Sequence, residues 1–228
     1  MKSKTKLVAT LFANQLQEAL SLPHFNQIDV IEWRLDALKE RDLDQIKAQV
    51  EQWPAHRPKL LLTLRTEGER PIISYKEEVA QLAPFVHYID LEWQQVKEDI
   101  AFVQSISQQT QVILSYHHFH GDWPDIEPLL FAMSKLSCQH LKIALNDTGD
   151  VASLIKQLPH LIACVPETVS IMVMGRKGQK TRYLAPSLGE GFVYASGGKN
   201  KYGQLTIEEM LPYMEEGELK NGKEEKNS

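Results

Sequence analysis

A lysine inside an apolar segment is the residue of this chain with the clearest chemical potential. Lys142 lies in the run HLKIAL, which has the composition of a buried β-strand. A lysine at the end of a strand often extends its amine to water, and this interpretation stays open for Lys142. A partly buried amine can instead attack a ketone and form an imine. A protonated imine withdraws electrons and acidifies the carbon beside it.

A histidine in the segment SYHHF is the candidate proton carrier for such a reaction. His117 can exchange protons near neutral pH, as the formation and breakdown of an imine require. The alternative is that His117 is only a polar residue at the end of a strand. His117, His118 and His120 could also form a metal site, but neighbouring residues on a strand point to opposite faces. We therefore expect no bound metal.

Three arginines at separate strand ends, Arg34, Arg65 and Arg182, could bind an anionic substrate. A guanidinium binds a carboxylate through two hydrogen bonds, but each arginine could equally form an ion pair with Glu32 or Asp90. Arg182 is predicted to lie in a basic loop, GRKGQKTR, which lacks the compact glycine pattern of a phosphate-binding loop. A carboxylate is therefore the favoured ligand of Arg182.

A glycine-rich segment, GGKNKYGQ, runs from Gly197 to Gln204. Three glycines in eight residues are typical of a loop that could close over a bound ligand. An ordinary connection to the terminal helix TIEEMLPYM explains the segment equally well.

Eight short apolar runs are expected to position these residues as β-strands. Most of the runs lack polar alternation, which is typical of parallel strands covered on both faces. The runs begin at Lys6, Ile28, Lys59, Val86, Gln111, His140, Ser170 and Gly191.

Segments with helical periodicity separate several of these strands. The predicted helices are Asp42–Trp53, with Asp42 as a cap, Val96–Ser107, Asp125–Ser137 and Val151–Leu158. The alternation predicts an α/β fold, and eight strands favour a closed (β/α)8 TIM barrel. A doubly wound open sheet is the main alternative, because the pattern alone does not show closure.

Polar residues are concentrated where the predicted strands end. Parallel α/β folds assemble their sites at this end of the sheet, so residues of different strands should meet there. The strand starts show no comparable set. The residues within or after the strands are Glu32, Arg34, Arg65, Asp90, Glu92, His117, His118, Lys142, Arg182 and Gln204.

The composition limits the function further. The chain has 228 residues and a net charge of −5, so it lacks the basic excess of a nucleic-acid or membrane-surface binder. The two cysteines, Cys138 and Cys164, are not spaced as a metal site or redox pair and favour a reducing compartment. No stretch approaches the ~20 apolar residues of a membrane span, so we expect a soluble, cytoplasmic protein. We expect one catalytic domain over residues 1–215 and a charged, disordered tail over residues 216–228.

Seven short motifs follow one another along the chain. They are EWRLD from Glu32, TLRTEGE from Thr63, IDLE from Ile89, SYHHF from Ser115, LKIA from Leu141, MGRKGQKTR from Met174 and GQL from Gly203. In order and spacing this set resembles the type I 3-dehydroquinate dehydratase family, from about Lys6 to Met210. Each motif is weak alone, whereas seven in order are specific.

The resemblance implies a class I aldolase-like barrel enzyme that acts as a homodimer in the shikimate pathway of aromatic amino-acid biosynthesis. It implies that Lys142 forms a Schiff base with the ketone of 3-dehydroquinate and that His117 moves the protons. Syn elimination of water and hydrolysis of the imine would then give 3-dehydroshikimate, without a metal or organic cofactor. Arg182 would hold the substrate carboxylate. The remaining substrate contacts would come from Glu32, Arg34, Arg65, Gln204 and Asn200.

Several positions depart from the family pattern. His118 stands where the family usually has an acidic or amide residue, Asn200 where it usually has a serine, and Thr181 where a serine usually precedes the binding arginine. Either Glu67 or Glu69 would fill the role of the family's glutamate. Two alternatives stay open: an aldolase that cleaves a carbon–carbon bond, and a barrel that binds a carboxylated ligand without converting it. The first predicts a phosphate pocket near the last two strands, and the second gains weight if Asn200 has disabled the loop.

Overall fold

A computed structural model describes residues 5–54, 58–66, 72–136, 138–198 and 203–224 of the protein. Its eight strands all overlap the predicted apolar runs, so the strand prediction is confirmed. They are β1 (Lys6–Leu11), β2 (Val30–Arg34), β3 (Lys59–Thr63), β4 (Tyr88–Glu92), β5 (Gln111–His118), β6 (His140–Leu145), β7 (Thr168–Val173) and β8 (Phe192–Ser196).

The order of the strands distinguishes a barrel from an open sheet. The order is β7-β6-β5-β4-β3-β2-β1-β8, so each strand pairs with the next one in the chain and β8 returns to β1. Every pair is parallel. A doubly wound sheet would instead reverse its order at an inner strand. The structure confirms the predicted TIM barrel and rejects the open-sheet alternative.

The barrel closes between β7 and β8 without a regular strand ladder. Among the described residues, one backbone hydrogen bond crosses this seam, from the amide of Gly191 to the carbonyl of Val169 at 3.1 Å. Ser170 bridges the rest: its Oγ donates to the carbonyl of Phe192 at 2.6 Å and accepts from the amide of Phe192 at 3.0 Å. The hydroxyl of Ser170 therefore makes the hydrogen bonds to Phe192 that the backbone of a paired strand would otherwise make.

Two further amides of β7 are also satisfied by side chains. The amide of Ile171 donates to Glu190 Oε2 at 3.1 Å, and the amide of Val173 donates to Thr181 Oγ1 at 3.1 Å. An unpaired buried amide would cost free energy comparable to a lost hydrogen bond, so these side chains stabilise the seam.

The described residues contain eight α-helices, which surround the barrel. They are α1 (Leu43–Glu51), α2 (Ile72–Leu82), α3 (Trp93–Val96), α4 (Ile100–Ser107), α5 (Ile126–Ser134), α6 (Val151–Ala163), α7 (Gln179–Leu188) and α8 (Ile207–Glu224). Short 3-10 helices occupy Leu16–Ser21, Phe25–Gln27, Leu35–Ala37, Ala83–Phe85 and Arg176–Gly178.

The helix predictions are confirmed in position and corrected in detail. Asp42 caps α1, as predicted, because its carboxylate accepts the amides of Asp44 and Gln45. The predicted helix Val96–Ser107 is interrupted: α3 ends at Val96, and Asp99 caps a new helix, α4. The helix predicted to end at Leu158 continues through Pro159 to Ala163, because Leu161 and Ile162 pack into the core.

The last helix includes part of the segment predicted as a disordered tail. Helix α8 continues to Glu224, so the predicted boundary at residue 216 lies within a helix. Gly217 lies so close to Pro186 of α7 that a Cβ atom would be 2.7 Å from it. This packing, together with the helix-forming residues Glu215, Glu216 and Glu218, explains why the helix continues. Residues 225–228 lie outside the described residues.

Two apolar layers result from this architecture. The larger lies between the sheet and the helices and includes Trp33 and Leu62, which point outward from their strands. Because side chains alternate along a strand, residues beside these two, such as Glu32 and Thr63, point into the barrel. The apolar part of the barrel interior consists of Val8, Val30, Leu61, Tyr88, Ile113, Ala144, Met172, Phe192 and Tyr194.

Candidate active site

Lys142, the third residue of β6, places its amine among buried groups inside the barrel. The residue is only 5% exposed. Its Nζ donates to Glu32 Oε1 at 3.4 Å and to Asp90 Oδ2 at 3.3 Å. The ring of Tyr194 lies against the same atom, with its centroid 3.9 Å from Nζ. The interpretation in which this amine extends to water is therefore wrong.

Two threonines hold the carboxylate of Glu32. Thr10 Oγ1 donates to Glu32 Oε2 at 2.7 Å, and Thr63 Oγ1 donates to Glu32 Oε1 at 2.8 Å. Burial alone would raise the pKa of Glu32, but the charges of Lys142 and Arg34 and the hydrogen bond from Thr10 outweigh it and lower the pKa to about 2. Glu32 is thus a fixed negative charge beside the amine.

Arg65 organises the second carboxylate near the amine. Its guanidinium lies 3.2 Å from Asp90 and 3.4 Å from Glu92, and it donates to Ser115 Oγ at 2.9 Å. Ser115 in turn donates to Asp90 Oδ1 at 2.5 Å. Burial would lower the pKa of Arg65, but Asp90 and Glu92 outweigh it and raise the pKa. Arg65 therefore belongs to the ion-pair network that the sequence left as one of two possibilities.

Arg34 is also engaged by a carboxylate. Its Nε and Nη2 donate to the two oxygens of Asp36 at 2.8 and 2.6 Å, which is a bidentate pair. The guanidinium carbon lies 5.1 Å from the centroid of the Phe12 ring. Arg34 nevertheless lines the same cavity as Lys142, so it can still present positive potential to a ligand.

Arg182 differs from the other two arginines because it has no acidic partner within salt-bridge distance among the described residues. It is 3% exposed, its Nη1 donates to the sulfur of Met172 at 3.5 Å, and its Nε has no partner within the described part of the chain. Burial lowers the pKa of Arg182 to about 10, and Glu190 offsets only part of this effect. A buried guanidinium with free donors is suited to bind an anion.

The position of Arg182 also corrects the sequence prediction of a basic loop. The segment forms a 3-10 helix over Arg176–Gly178 and then α7, and Arg182 lies on α7. Thr181 is fully buried, and its hydroxyl donates to the carbonyl of Gly178 at 2.7 Å. The same hydroxyl accepts from the amide of Val173 at 3.1 Å, which joins α7 to β7. The segment GRKGQKTR was predicted to be a loop because it is rich in glycines and charged residues.

His117 lies near the carboxyl end of β5 and lines the cavity. It is two residues beyond Ser115, which pairs with Lys142 across the sheet, so both side chains point inward. Burial, then the positive charges of Arg65 and Lys142, lower the pKa of His117 well below 6.5. The ring is therefore neutral at physiological pH and can accept a proton.

His118 points away from the cavity, as the alternation of a strand requires. Its Nδ1 lies 3.1 Å from the hydroxyl of Tyr116, and the two rings stack. His117 and His118 therefore cannot share a metal. Within the described ranges, no group of three or more histidines, cysteines, aspartates or glutamates is arranged to bind one.

These side chains surround one cavity at the carboxyl end of the barrel. Gln204 lines it and donates from Nε2 to Thr10 Oγ1 at 3.2 Å. Asn200, Glu67 and Glu69 lie outside the described residues. The cavity is lined by Glu32, Arg34, Arg65, His117, Phe119, Lys142, Ala144, Met172, Met174, Arg182, Tyr194 and Gln204.

The structure adds residues that the sequence did not single out. Thr10, Thr63 and Ser115 hold the carboxylates, and Tyr194 contacts the amine. Each lies on a strand whose central residues are mostly apolar. The available signal in the sequence was a polar residue within or at the end of an apolar run. Such residues are too common for this signal to identify a site.

Comparison with known proteins places this site in a family. A family model described as type I 3-dehydroquinase matches residues 7–216. The chain belongs to the type I 3-dehydroquinase family. Membership of that family makes it an enzyme, a hydro-lyase, and decides against both alternatives, the aldolase and the barrel without turnover.

Proteins named 3-dehydroquinate dehydratase share sequence with it over most of their length. The Streptococcus agalactiae serotype Ia protein is 27% identical over 219 residues, covering 90% of this chain and 95% of that protein. The Staphylococcus haemolyticus protein is 30% identical over 195 residues, covering 76% of this chain and 79% of that protein.

Solved structures of type I 3-dehydroquinases have the same fold. The Clostridium difficile enzyme superposes with a TM-score of 0.83 at 21% identity, covering 93% of this chain and 92% of that one. The 3-dehydroquinate dehydratase of Geobacillus kaustophilus gives a TM-score of 0.83 at 20% identity, covering 95% of this chain and 92% of that one. In the described part of the chain, no helix is long and apolar enough to cross a membrane.

Proposed function

We propose that this chain converts 3-dehydroquinate to 3-dehydroshikimate through a Schiff base on Lys142. The observation that carries the proposal is a single buried amine, held by Glu32 and Asp90, in a cavity that also contains His117 and Arg182. A ketone, a removable proton on the next carbon and a carboxylate are the three features of the substrate that these groups match. Membership of the type I 3-dehydroquinase family supports the same substrate.

In the first step, the amine of Lys142 attacks the carbon of the substrate ketone. The ketone oxygen leaves as water with two protons, and one N–H remains on the protonated imine. The amine must first release a proton, and His117 is the neutral base that lines the same cavity. His117 is proposed to accept protons during attack and to return them to the departing oxygen.

In the second step, the positive nitrogen acidifies the carbon beside the imine. His117 removes a proton from that carbon, and the electron pair moves toward the nitrogen. The electrons return as the hydroxyl on the following carbon leaves on the same face, and this hydroxyl takes the proton back from His117 to become water. Hydrolysis of the imine then releases 3-dehydroshikimate and restores Lys142.

Arg182 is proposed to bind the substrate carboxylate. Its burial and its free donors support this role, because the charge-assisted hydrogen bonds it lacks among the described residues are those a carboxylate would supply. Glu32, Arg34, Arg65 and Gln204 are proposed to contact the substrate's hydroxyls and carboxylate. Asn200, in the glycine-rich segment before Gln204, is proposed to provide a further contact.

The proposal includes the cellular setting that accompanies this reaction. We propose that the enzyme acts in the shikimate pathway of aromatic amino-acid biosynthesis, as a homodimer in the cytoplasm, without a cofactor. The family membership supports the pathway. Elution in size-exclusion chromatography at twice the chain mass of 26.0 kDa would support the dimer.

Borohydride trapping tests the mechanism. The enzyme is mixed with 3-dehydroquinate, reduced with borohydride, digested and mapped by mass spectrometry. We expect a covalent adduct on Lys142 that is absent from Lys142→Ala and unchanged in Lys156→Ala, whose lysine is exposed on α6. Full dehydratase activity with an unmodified Lys142 would rule out the imine.

A further inference from the structure

Tyr194 makes an unusually close contact with the proposed nucleophile. The centroid of its ring lies 3.9 Å from Lys142 Nζ, well within the ~6 Å over which a cation is attracted to an aromatic face. The amines of Lys6, Lys59 and Lys76, which also lie over aromatic rings, are 5.3 to 5.7 Å from the ring centroids. The ring of Tyr194 is thus in direct contact with the atom that becomes the imine nitrogen.

The packing of Tyr194 fixes its ring in this position. Tyr194 is only 2% exposed and lies in the barrel interior with Val8, Phe192 and Met172. Its neighbour on β1 is Val8, which it meets in register. The ring is therefore buried among apolar neighbours and is not a mobile surface side chain.

The hydroxyl of Tyr194 does not explain why the residue is there. It is buried and finds no hydrogen-bond partner among the described residues. Burial, then Glu32 and Asp90, raise the pKa of Tyr194 well above its usual range, so the hydroxyl does not serve as a base. The ring face is the part of the residue that meets a functional atom.

Imine formation changes which neighbours can stabilise the nitrogen. The ammonium has three N–H donors and directs them to groups that include Glu32 and Asp90. The protonated imine keeps one N–H, so it cannot donate to both carboxylates. The attraction of an aromatic face requires the positive charge and no donor, and it persists after the change.

We propose that Tyr194 is a catalytic residue whose ring face stabilises the positive charge of the protonated imine on Lys142. This inference rests on the proposed Schiff-base function. The stabilisation favours the imine over the uncharged species that precede and follow it. It also acts in a water-poor site, where electrostatic attraction is stronger than at a surface.

Three substitutions separate the ring face from the hydroxyl and from shape. Tyr194→Phe keeps the face and removes the hydroxyl. Replacing Tyr194 with a trifluorinated phenylalanine keeps the shape and removes most of the negative potential of the face. Tyr194→Leu removes the ring. For each protein, kcat and the amount of borohydride-trapped Lys142 adduct per active site are measured, and a circular dichroism melt verifies folding.

We expect Tyr194→Phe to stay within about twofold of the unchanged enzyme, and the trifluorinated variant to lose about tenfold in kcat with less trapped adduct. We expect Tyr194→Leu to lose at least as much. Equal values for the phenylalanine and trifluorinated variants would overturn the inference, as would a Tyr194→Phe loss as large as that of Tyr194→Leu. If the unchanged enzyme gives no Lys142 adduct, the proposed Schiff-base function is wrong. If it gives a normal adduct and the Tyr194 variants all have the same kcat and adduct yield, only the role of Tyr194 is wrong.

Discussion

Replacing Arg182 with methionine is expected to stabilise the ligand-free protein and to weaken its binding of the substrate carboxylate. Arg182 is the buried arginine for which no acidic partner lies within salt-bridge distance in the described ranges, and its Nη1 contacts only the sulfur of Met172. Methionine has a similar unbranched chain and fills the same space without a charge. Stability and binding should therefore change in opposite directions.

The size of the effect follows from the burial of the charge. The pKa of Arg182 falls from its usual 12.5 to about 10 because of burial, with partial compensation from Glu190. At about 1.36 kcal/mol for each pKa unit, burial disfavours the charged form by roughly 3 kcal/mol. Replacing a buried ion pair by apolar residues is neutral or stabilises proteins by about 1–4 kcal/mol, and a buried arginine without an acidic partner loses even the attraction of the pair. We therefore expect a gain of about 1–3 kcal/mol for Arg182→Met. In a chain of this length, each kcal/mol raises the melting temperature by about 2–4 °C.

Thermal and urea unfolding of the ligand-free enzyme at pH 7 would measure the change, with two matched controls. Arg65→Met removes an arginine that is paired with Asp90 and Glu92, and should destabilise by about 3–5 kcal/mol because it leaves buried carboxylates without a cation. Arg176→Met removes an exposed arginine and should change stability by less than about 0.5 kcal/mol.

Steady-state kinetics complete the experiment. Loss of a buried, charge-assisted contact costs about 2–5 kcal/mol, so Arg182→Met should lower kcat/KM for 3-dehydroquinate by at least about 30-fold. The reasoning is refuted if Arg182→Met unfolds as easily as Arg65→Met. That result would mean that contacts of Arg182 stabilise the ligand-free protein, and that its buried charge does not lower the free energy of unfolding.

Two further predictions concern protons. His117→Ala should lower kcat by ~10²-fold or more. Because the pKa of His117 in the ligand-free protein lies below 6.5, kcat/KM should stay constant on acidification until the pH is below 6.5. A kcat/KM value that already declines on acidification while the pH is above 6.5 would contradict this. Glu32 has a pKa lowered from 4.5 to about 2, so its ionised form stabilises the fold by roughly 3 kcal/mol, fully above pH 4.5 and less as the pH falls toward 2. The stability difference between the unchanged protein and Glu32→Gln in urea should therefore shrink below pH 4.5, and a constant difference would be inconsistent with it.

The strands could be predicted because most of them are short apolar runs without polar alternation, whereas their order and the closure of the barrel were established by the structure. A run such as QVILSY is typical of a parallel strand that is covered on both faces. The parallel arrangement then brings the strand ends together, which is why Glu32, His117 and Lys142 were expected in one site. All three line the same cavity.

The partners of the charged residues could not be predicted, because they depend on which side chains meet across the barrel. Arg34 pairs with Asp36, two residues away, whereas Arg65 pairs with Asp90 and Arg182 with no acid within reach in the described part. The three arginines look alike in the sequence. Only the tertiary structure shows that one of them retains its donors for a ligand.

The side chains that close the seam between β7 and β8 have a consequence for how the protein behaves in a crowded solution. A sheet that ends in unpaired amides offers a template on which a second chain can add a strand and aggregate. Here Ser170, Thr181 and Glu190 already occupy amides of β7 and β8. The barrel can therefore lack a strand ladder at this position without offering these amides to another copy of the chain for strand addition.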